Sequence, residues 1–231
     1  MRRRLVVDGL SRDHFSERQY AALSRELSRE HGFQVLSPEA RERSRRATLA
    51  HLAPGAPLWV FAYGSLMWNP TLVLDDSRPA LLDGYRRRFC LWMPLGRGSP
   101  ERPGLMLALE RGGRCHGLAL RIPPELVQPE SRILWRREML AEAYRPVWVK
   151  LRLRGGSLPA VAFVVNPRHA RYAPRIPEAA AVRSIASAEG RLGRCRDYLA
   201  NLVASLDHHG IADGEMRRLF RRVEAHRSAP Q

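Results

Sequence analysis

The sequence lacks the features that define several large classes of protein. Its three cysteines, Cys90, Cys115 and Cys195, form no Cys-x-x-Cys pair and no zinc-like spacing. No apolar run approaches the roughly 20 residues of a membrane-spanning helix. The basic N-terminus has only residues 5–7 as an apolar patch, which is too short for a signal peptide. We therefore predict a cytoplasmic protein with buried, reduced thiols and no membrane association.

Common catalytic signatures are also missing. There is no P-loop, no G-x-G-x-x-G after a strand, no H-E-x-x-H and no G-x-S-x-G. Ser65 has no histidine close to it in the sequence, which argues against a hydrolase nucleophile. A nucleotide-binding protein, a zinc protease and a serine hydrolase of the usual kinds are thus disfavoured.

Lysine is almost absent, although the chain is strongly basic. Lys150 is the only lysine, so arginine supplies nearly all the positive charge behind the formal net charge of +16. The arginines are spread along the chain among Asp and Glu, without the concentrated stripe typical of a DNA-binding surface. The diffuse field favours anionic small molecules. An Arg-rich nucleic-acid-associated protein without enzymatic activity, with residues 1–52 as its binding arm, remains an alternative.

The N-terminal quarter predicts a helical extension and linker over residues 1–57. Residues 11–32 have an amphipathic pattern, with capping-box spacing at Ser16 and Gln19, and the pattern predicts a C-cap at Gly32. A second helix should start at Ser37 and Pro38. The linker is APGAP, residues 53–57.

The rest of the chain predicts an α+β fold around a mainly antiparallel sheet, because strands and helices do not alternate regularly. We assign residues 58–212 to one domain and residues 213–231 to a C-terminal helix and tail. The predicted strands span 58–62, 105–109, 116–122, 147–153 and 160–165, and the predicted helices span 124–141, 178–188, 196–209 and 213–226.

Two features could support chemistry. The segment YGSL follows the predicted strand 58–62, and Gly64 would let the backbone approach a ligand closely. Glu138 lies among apolar residues of a predicted helix, where desolvation would raise its pKa towards that of a general base. A structural turn and a solvated glutamate are the ordinary explanations of each feature taken alone.

Seven segments, in order along most of residues 58–212, resemble the ChaC-like family of glutathione-specific γ-glutamylcyclotransferases. They are FAYGSLMWNP, DDSRPALLDGYRRRFCLW, GRGSPERPGLMLALE, CHGLALRI, WRREMLAEAYRP, AFVVNPRHARYAP and GRLGRCRDYLANL. The resemblance implies the γ-glutamylcyclotransferase-like fold, a small mixed, mainly antiparallel β-barrel or sheet with packed helices. It also implies cleavage of glutathione to 5-oxoproline and Cys-Gly without metal or cofactor.

The resemblance carries residue roles onto this sequence. The acid/base glutamate falls on Glu138, and the loop that binds the γ-glutamyl group falls on Tyr63, Gly64, Ser65 and Leu66. Tyr144 falls on the tyrosine that follows a Gly-Gly pair in many members, so we expect it to contact substrate.

Two departures from the family's pattern stand beside these roles. Glu142-Ala143 replaces the Gly-Gly pair, which adds Glu142 as a second candidate acid, and Cys195 replaces a small polar residue. Arg78 and Arg88 are candidate partners of a glutathione carboxylate. A cyclotransferase acting on other γ-glutamyl amines or dipeptides, and a binding pseudoenzyme, remain alternatives. The oligomeric state is open.

Overall fold

The first strand, β1 (Leu58–Ala62), is part of a closed five-stranded barrel. The computed structural model describes residues 10–31 and 34–228. Four of the five β1 residues are buried, as expected for a short run rich in aromatic and β-branched side chains. β1 pairs antiparallel with β3 (Gly104–Ile122) and parallel with β5 (Gly156–Val165), so it is paired on both sides.

A long hairpin forms most of the barrel wall. β2 (Asp76–Met93) runs antiparallel to β3 from the pair Asp76–Arg121 to the pair Met93–Gly104. The sequence predicts no strand over residues 76–93 and two separate strands where β3 is continuous. The prediction was wrong there because pairing along the hairpin carries β3 through its charged, glycine-containing middle, with a shift of register beside Gly84.

A second hairpin closes the barrel. β4 (Tyr144–Leu153) pairs antiparallel with β5, and β4 contacts β2 at the pair Leu81–Arg152. The strand order is β1-β3-β2-β4-β5, and β5 also pairs with β3. The predicted mainly antiparallel barrel with packed helices is therefore confirmed.

The helices lie close to their predicted positions. They are α1 (Glu17–His31), α2 (Pro38–Leu49), α3 (Val127–Glu138), α4 (Glu178–Ser187), α5 (Cys195–His208) and α6 (Gly214–Ser228). Between α4 and α5 lie the two-residue strands β6 (Glu189–Gly190) and β7 (Gly193–Arg194). α6 buries Met216, Phe220 and Val223 in the same core as the barrel. The domain division at residues 57/58 and 212/213 remains a prediction.

Two helix starts follow their capping residues. α1 begins directly after Ser16, and the residues before it form a separate 3₁₀ turn, Arg12–Phe15, rather than part of one helix from residue 11. At α2, the Ser37 hydroxyl accepts the N–H of Ala40 at 3.1 Å, as predicted. The C-cap predicted at Gly32 lies outside the described residues.

The three cysteines are all buried and unpaired, as predicted. Burial raises the pKa of the Cys90 and Cys195 thiols to about 11, so both stay protonated near neutral pH. Within residues 10–31 and 34–228, no helix is long and apolar enough to cross a membrane.

Candidate active site

Glu138 is the last residue of α3, and a buried tryptophan holds this end of the helix in place. One turn earlier, Trp135 is 1% exposed, and its ring packs edge-on against Phe163 of the barrel at 5.1 Å between centroids. Its indole N–H donates to the hydroxyl of Ser44 in α2 at 3.2 Å. α3 is therefore held between the barrel and the N-terminal extension.

The carboxylate of Glu138 is largely withdrawn from water. Its side chain is 15% exposed, and Nε of Arg137 lies 3.2 Å from its Oε1. Burial raises the pKa of Glu138, and the charge and hydrogen bond of Arg137 oppose this only in part, so the pKa stays above the ordinary value. A carboxylate in this state can both accept and return a proton nearer neutral pH than a solvated glutamate can.

The segment after β1 turns sharply at Gly64 and forms a short 3₁₀ turn, Ser65–Met67. Its first hydrogen bond runs from the N–H of Met67 to the carbonyl of Gly64, at 2.8 Å. The N–H groups of Gly64, Ser65 and Leu66 precede that bond, and the first N–H groups of a helical turn have no partner within it. This backbone can present donors to an anion or a carbonyl oxygen.

Gly64 is required here by close packing rather than by a positive φ. A Cβ at this position would lie 2.8 Å from the hydroxyl oxygen of Tyr198 and 3.3 Å from Cδ2 of Leu107. The Tyr198 ring is fixed by edge-on contacts with Trp68 and Phe89. Tyr198 of α5 thus covers the backbone of the turn.

Arg137 joins the turn to Glu138. Its Nη2 donates to the hydroxyl of Ser65 at 2.9 Å, and its Nη1 donates to the carbonyl of Asn69 at 2.5 Å and to the hydroxyl of Thr71 at 3.1 Å. Its Nε faces Glu138. A single guanidinium with several fixed donors therefore holds the two predicted parts of the site together.

Tyr63 and Tyr144 lie beside the same carboxylate. Burial raises the pKa of both phenols well above the ordinary value, and the negative charge of Glu138 contributes to the rise. The Tyr63 hydroxyl donates to the carbonyl of Phe163 at 2.8 Å. The Tyr144 hydroxyl donates to the carbonyl of Leu107, also at 2.8 Å. Both phenols are neutral, and their hydroxyls are anchored to the barrel.

Glu142 differs from Glu138 in its surroundings. Its residue is exposed, and its backbone has φ 50°, in the left-handed region that favours glycine. The side-chain amide of Asn166 donates to the carbonyl of Glu142 at 3.0 Å, and its backbone N–H donates to the carbonyl of Ala143 at 2.9 Å. The sequence departure from Gly-Gly therefore places a side chain where the backbone has a conformation suited to glycine.

The sequence did not indicate three residues that lie at the candidate site. The two arginines that it suggested as partners of a glutathione carboxylate pair with carboxylates of the protein instead. Arg137, Tyr198 and Arg87 contact the turn or Glu138, and only Arg137 had a sequence signal, its position next to Glu138. Arg78 pairs with Asp76, and Arg88 pairs with Glu110 and with the carbonyls of residues 173 and 174. Neither pairing shows a role in binding a ligand.

The surroundings of Glu138 do not resemble a metal centre. In the described part of the chain, no group of three His, Cys, Asp or Glu side chains could hold a metal ion. Two surface cavities of about 470 and 620 Å³ lie against β2 and β4, and neither is lined by Glu138 or by the turn.

Comparisons with known proteins report on the family and the fold. A family model described as ChaC-like protein matches residues 58–226. A glutathione-specific γ-glutamylcyclotransferase of Escherichia coli is 40% identical over 185 residues, which are 80% of each chain. Glutathione-specific γ-glutamylcyclotransferase 1 of Homo sapiens is 32% identical over 151 residues, 63% of this chain and 68% of that protein. The crystal structure of a glutathione-specific γ-glutamylcyclotransferase from yeast superimposes with a TM-score of 0.69 at 21% identity, covering 75% of this chain and 98% of that one.

Proposed function

The chain belongs to the ChaC-like protein family, and from that premise we propose that it is a glutathione-specific γ-glutamylcyclotransferase. The reaction cleaves glutathione within its γ-glutamyl amide and gives 5-oxoproline and Cys-Gly. A cytoplasmic location fits this substrate and the three buried thiols, because the cytosolic glutathione pool keeps thiols reduced.

One observation carries the proposal. Arg137 places the raised-pKa carboxylate of Glu138 beside the turn that bears the N–H groups of residues 64–66. The intramolecular reaction needs a proton carrier and oriented donors, and it needs no nucleophile from the enzyme. The absence of a G-x-S-x-G motif is consistent with that requirement.

The substrate supplies both reacting groups. Its α-amine attacks its own γ-carbonyl carbon, a new carbon–nitrogen bond closes the five-membered lactam, and the bond to the cysteine nitrogen breaks. We assign to Glu138 the acceptance of the proton from the attacking amine and its return to the leaving amine. Such acid–base assistance contributes a rate factor of about 10²–10⁴.

The turn holds the substrate in the reactive geometry. We assign the N–H groups of Gly64, Ser65 and Leu66 to the γ-glutamyl group, as donors either to its α-carboxylate or to the developing oxyanion. One such donor contributes on the order of 3 kcal/mol to the transition state. Tyr63 and Tyr144 form the wall beside Glu138, and Ser65 is held by Arg137.

The deciding experiment is incubation of the purified protein with glutathione and measurement of 5-oxoproline. We expect Glu138→Gln to lower kcat by about 10²–10⁴-fold, because the amide cannot carry the proton. Glu142→Gln is the matched control, since the exposed side chain of Glu142 should leave the rate unchanged. Loss of activity in Glu142→Gln alone would reverse the assignment, and turnover of γ-glutamyl-alanine but not glutathione would support the broader γ-glutamyl substrate class.

The pH dependence tests the same assignment. Glu138 must be ionised to accept the amine proton, and burial raises its pKa. The rise of kcat/KM with pH should therefore be centred above the ordinary glutamate value near 4.5. Arg137→Met removes the positive charge that lowers the pKa of Glu138 against the effect of burial, so this limb should move to higher pH. A limb centred below the ordinary value would exclude Glu138 as the base.

A further inference from the structure

Residues of the N-terminal extension contact the same helix and loop that form the site. The family match begins at residue 58, so it leaves residues 10–52 without an assigned role. α2 contacts α3 through Ser44 and Arg45, the latter donating to the hydroxyl of Ser131 at 2.9 Å and to the amide oxygen of Gln128 at 3.0 Å. The 3₁₀ turn before α1 makes the contacts closest to the site.

Arg12 binds a buried carboxylate on α3, the helix that ends at Glu138. Glu130 is 1% exposed, and its two carboxylate oxygens accept Nη1 and Nη2 of Arg12 at 2.6 Å each. The same carboxylate accepts the N–H of Val73 at 3.0 Å. A bidentate Arg–carboxylate pair has a fixed geometry. It therefore sets the position of α3 relative to residues 69–73, which follow the turn Ser65–Met67.

Arg12 also binds that segment directly. Its Nη1 donates to the carbonyl of Thr71 at 3.1 Å, and the side-chain amide of Asn69 donates to the carbonyl of Leu10 at 2.9 Å. Thr71 has φ 57°, a conformation that is strained for a β-branched residue. Such strain persists only where surrounding contacts maintain it, and Thr71 is held by Arg12 at its carbonyl and by Arg137 at its hydroxyl.

Phe15 lies against Arg137, the residue that links the turn to Glu138. The Arg137 guanidinium carbon is 6.0 Å from the centroid of the Phe15 ring, and Phe15 is 5% exposed. The carbonyl of Phe15 accepts Nη1 of Arg136 at 2.9 Å. The two arginines before Glu138 are therefore both in contact with one residue of the extension.

We propose that Arg12 and Phe15 are positioning residues of the active site, which hold Arg137, Thr71 and α3 in the geometry that the reaction requires. The inference rests on the proposed cyclotransferase function for its kinetic readout. Neither residue reaches the reacting atoms in this assignment. They act through Arg137 and through the backbone between the substrate turn and α3.

The test compares Arg12→Ala and Phe15→Ala with a matched control. Glu26→Gln breaks another ion pair between the extension and the body of the protein, with Arg191, and should leave kinetics unchanged. We expect each positioning variant to lower kcat for glutathione by about 10- to 100-fold, as misplacement of reacting groups does. The acid limb of the pH profile should also move to higher pH, because Arg137 no longer faces Glu138 closely.

Two further measurements separate positioning from folding. Arg12→Ala leaves the buried carboxylate of Glu130 without its ion-pair partner, which lowers stability. The double variant Arg12→Met/Glu130→Met removes that carboxylate as well, so its stability towards urea should recover. Its kcat should stay low, because the Thr71 carbonyl still lacks the hydrogen bond from Arg12. Arg12→Lys keeps the charge without the bidentate fork and should recover activity only in part. Wild-type kcat and an unshifted pH profile in the folded double variant would overturn the proposal.

Amide hydrogen exchange gives a readout that does not depend on the substrate. Arg12→Ala should accelerate exchange of backbone amides in residues 64–73, and Glu26→Gln should not. Equal exchange rates in wild type and Arg12→Ala would contradict the positioning role, whether or not the wild-type protein cleaves glutathione. Failure of the wild-type protein to cleave glutathione would refute only the proposed function.

Discussion

At the scale of single residues, two neighbouring glutamates on either side of the α3 terminus have opposite surroundings. Glu138 is largely buried with Arg137 at 3.2 Å, whereas Glu142 is exposed on a left-handed backbone. Both residues are the same chemical type in the same stretch of sequence, so residue type alone leaves two candidate acids. Burial distinguishes them, because the withdrawal of Glu138 from water raises its pKa towards the working range of a general base, whereas Glu142 is exposed.

Gly64 is the residue whose replacement should disturb the turn most directly. In Gly64→Ala the new methyl group would lie 2.8 Å from the Tyr198 hydroxyl oxygen, so the turn or α5 must move. We expect a loss of about 1–3 kcal/mol in stability from overpacking. A displacement of about 1 Å should also lower kcat/KM by roughly 100-fold.

Gly214→Ala is the control for this substitution, because a Cβ at Gly214 meets nothing within 4 Å. Urea unfolding and glutathione kinetics should separate the two variants. A Gly64→Ala protein with wild-type stability and kcat/KM would show that the close approach of Tyr198 has no importance for the turn.

At the scale of secondary-structure elements, β2 and the start of α6 support the turn that follows β1. Arg87 of β2 has a side chain only 2% exposed, and its Nη1 donates to the carbonyl of Tyr63 at 3.0 Å. Its Nε lies 3.1 Å from the carboxylate of Asp213. Asp213 also accepts the N–H of Met216 at 3.0 Å, so it caps α6 while it neutralises the buried guanidinium.

Asp213→Asn should separate these two roles. Asparagine can still cap the helix, but it leaves the buried charge of Arg87 without a counter-ion, which costs about 3–5 kcal/mol in stability. Asp207→Asn is the matched control, because its pair with Arg217 is exposed and worth at most about 1 kcal/mol. Equal urea midpoints for the two variants would refute the importance of the buried pair.

At the scale of the whole molecule, the positive charge serves internal contacts as well as the surface. Arg12, Arg41 and Arg45 of the extension all bind groups within the protein. The electrostatic field of the +16 chain still favours an anionic substrate such as glutathione. The nucleic-acid alternative remains a prediction, to be tested by retention on RNA at physiological salt with and without residues 1–52.

Global stability should depend on pH in opposite directions through two carboxylates of α3. Burial alone would raise the pKa of Glu130, but the hydrogen bonds from Arg12 and Val73 leave it lowered. Glu130 therefore contributes stability above its unfolded pKa, near 4.5, and this contribution is lost as pH falls through its folded pKa. Glu138 has a raised pKa, so its contribution is present below the unfolded value and is lost as pH rises through the folded value.

Urea unfolding between pH 3 and pH 7 should show both effects. Glu130→Gln should be less stable than wild type at pH 7, and the difference should shrink towards pH 3. Glu138→Gln should gain stability relative to wild type as pH rises. Parallel pH profiles for wild type and both variants would contradict the two assignments.

The elements that could be predicted from the sequence are those whose patterns are local. β1 has a run of apolar and aromatic residues, and α1 and α2 begin where Ser16, Ser37 and Pro38 predict. The ordered motifs identified the family, and the resemblance made Glu138 and the turn at residues 63–66 the candidates for its site. These patterns are readable because capping and strand propensity depend on near neighbours in the chain.

The contacts that bring these candidate residues together depend on the tertiary structure. The strand over residues 76–93 was missed because its pairing with β3, rather than its own polar sequence, stabilises it. Arg12 and Glu130 are 118 residues apart, and Tyr198 is distant in sequence from Gly64, so no local pattern reports their contacts. Burial, ion pairing and close packing depend on which distant segments fold together, and they set the pKa of Glu138 and the geometry of the turn.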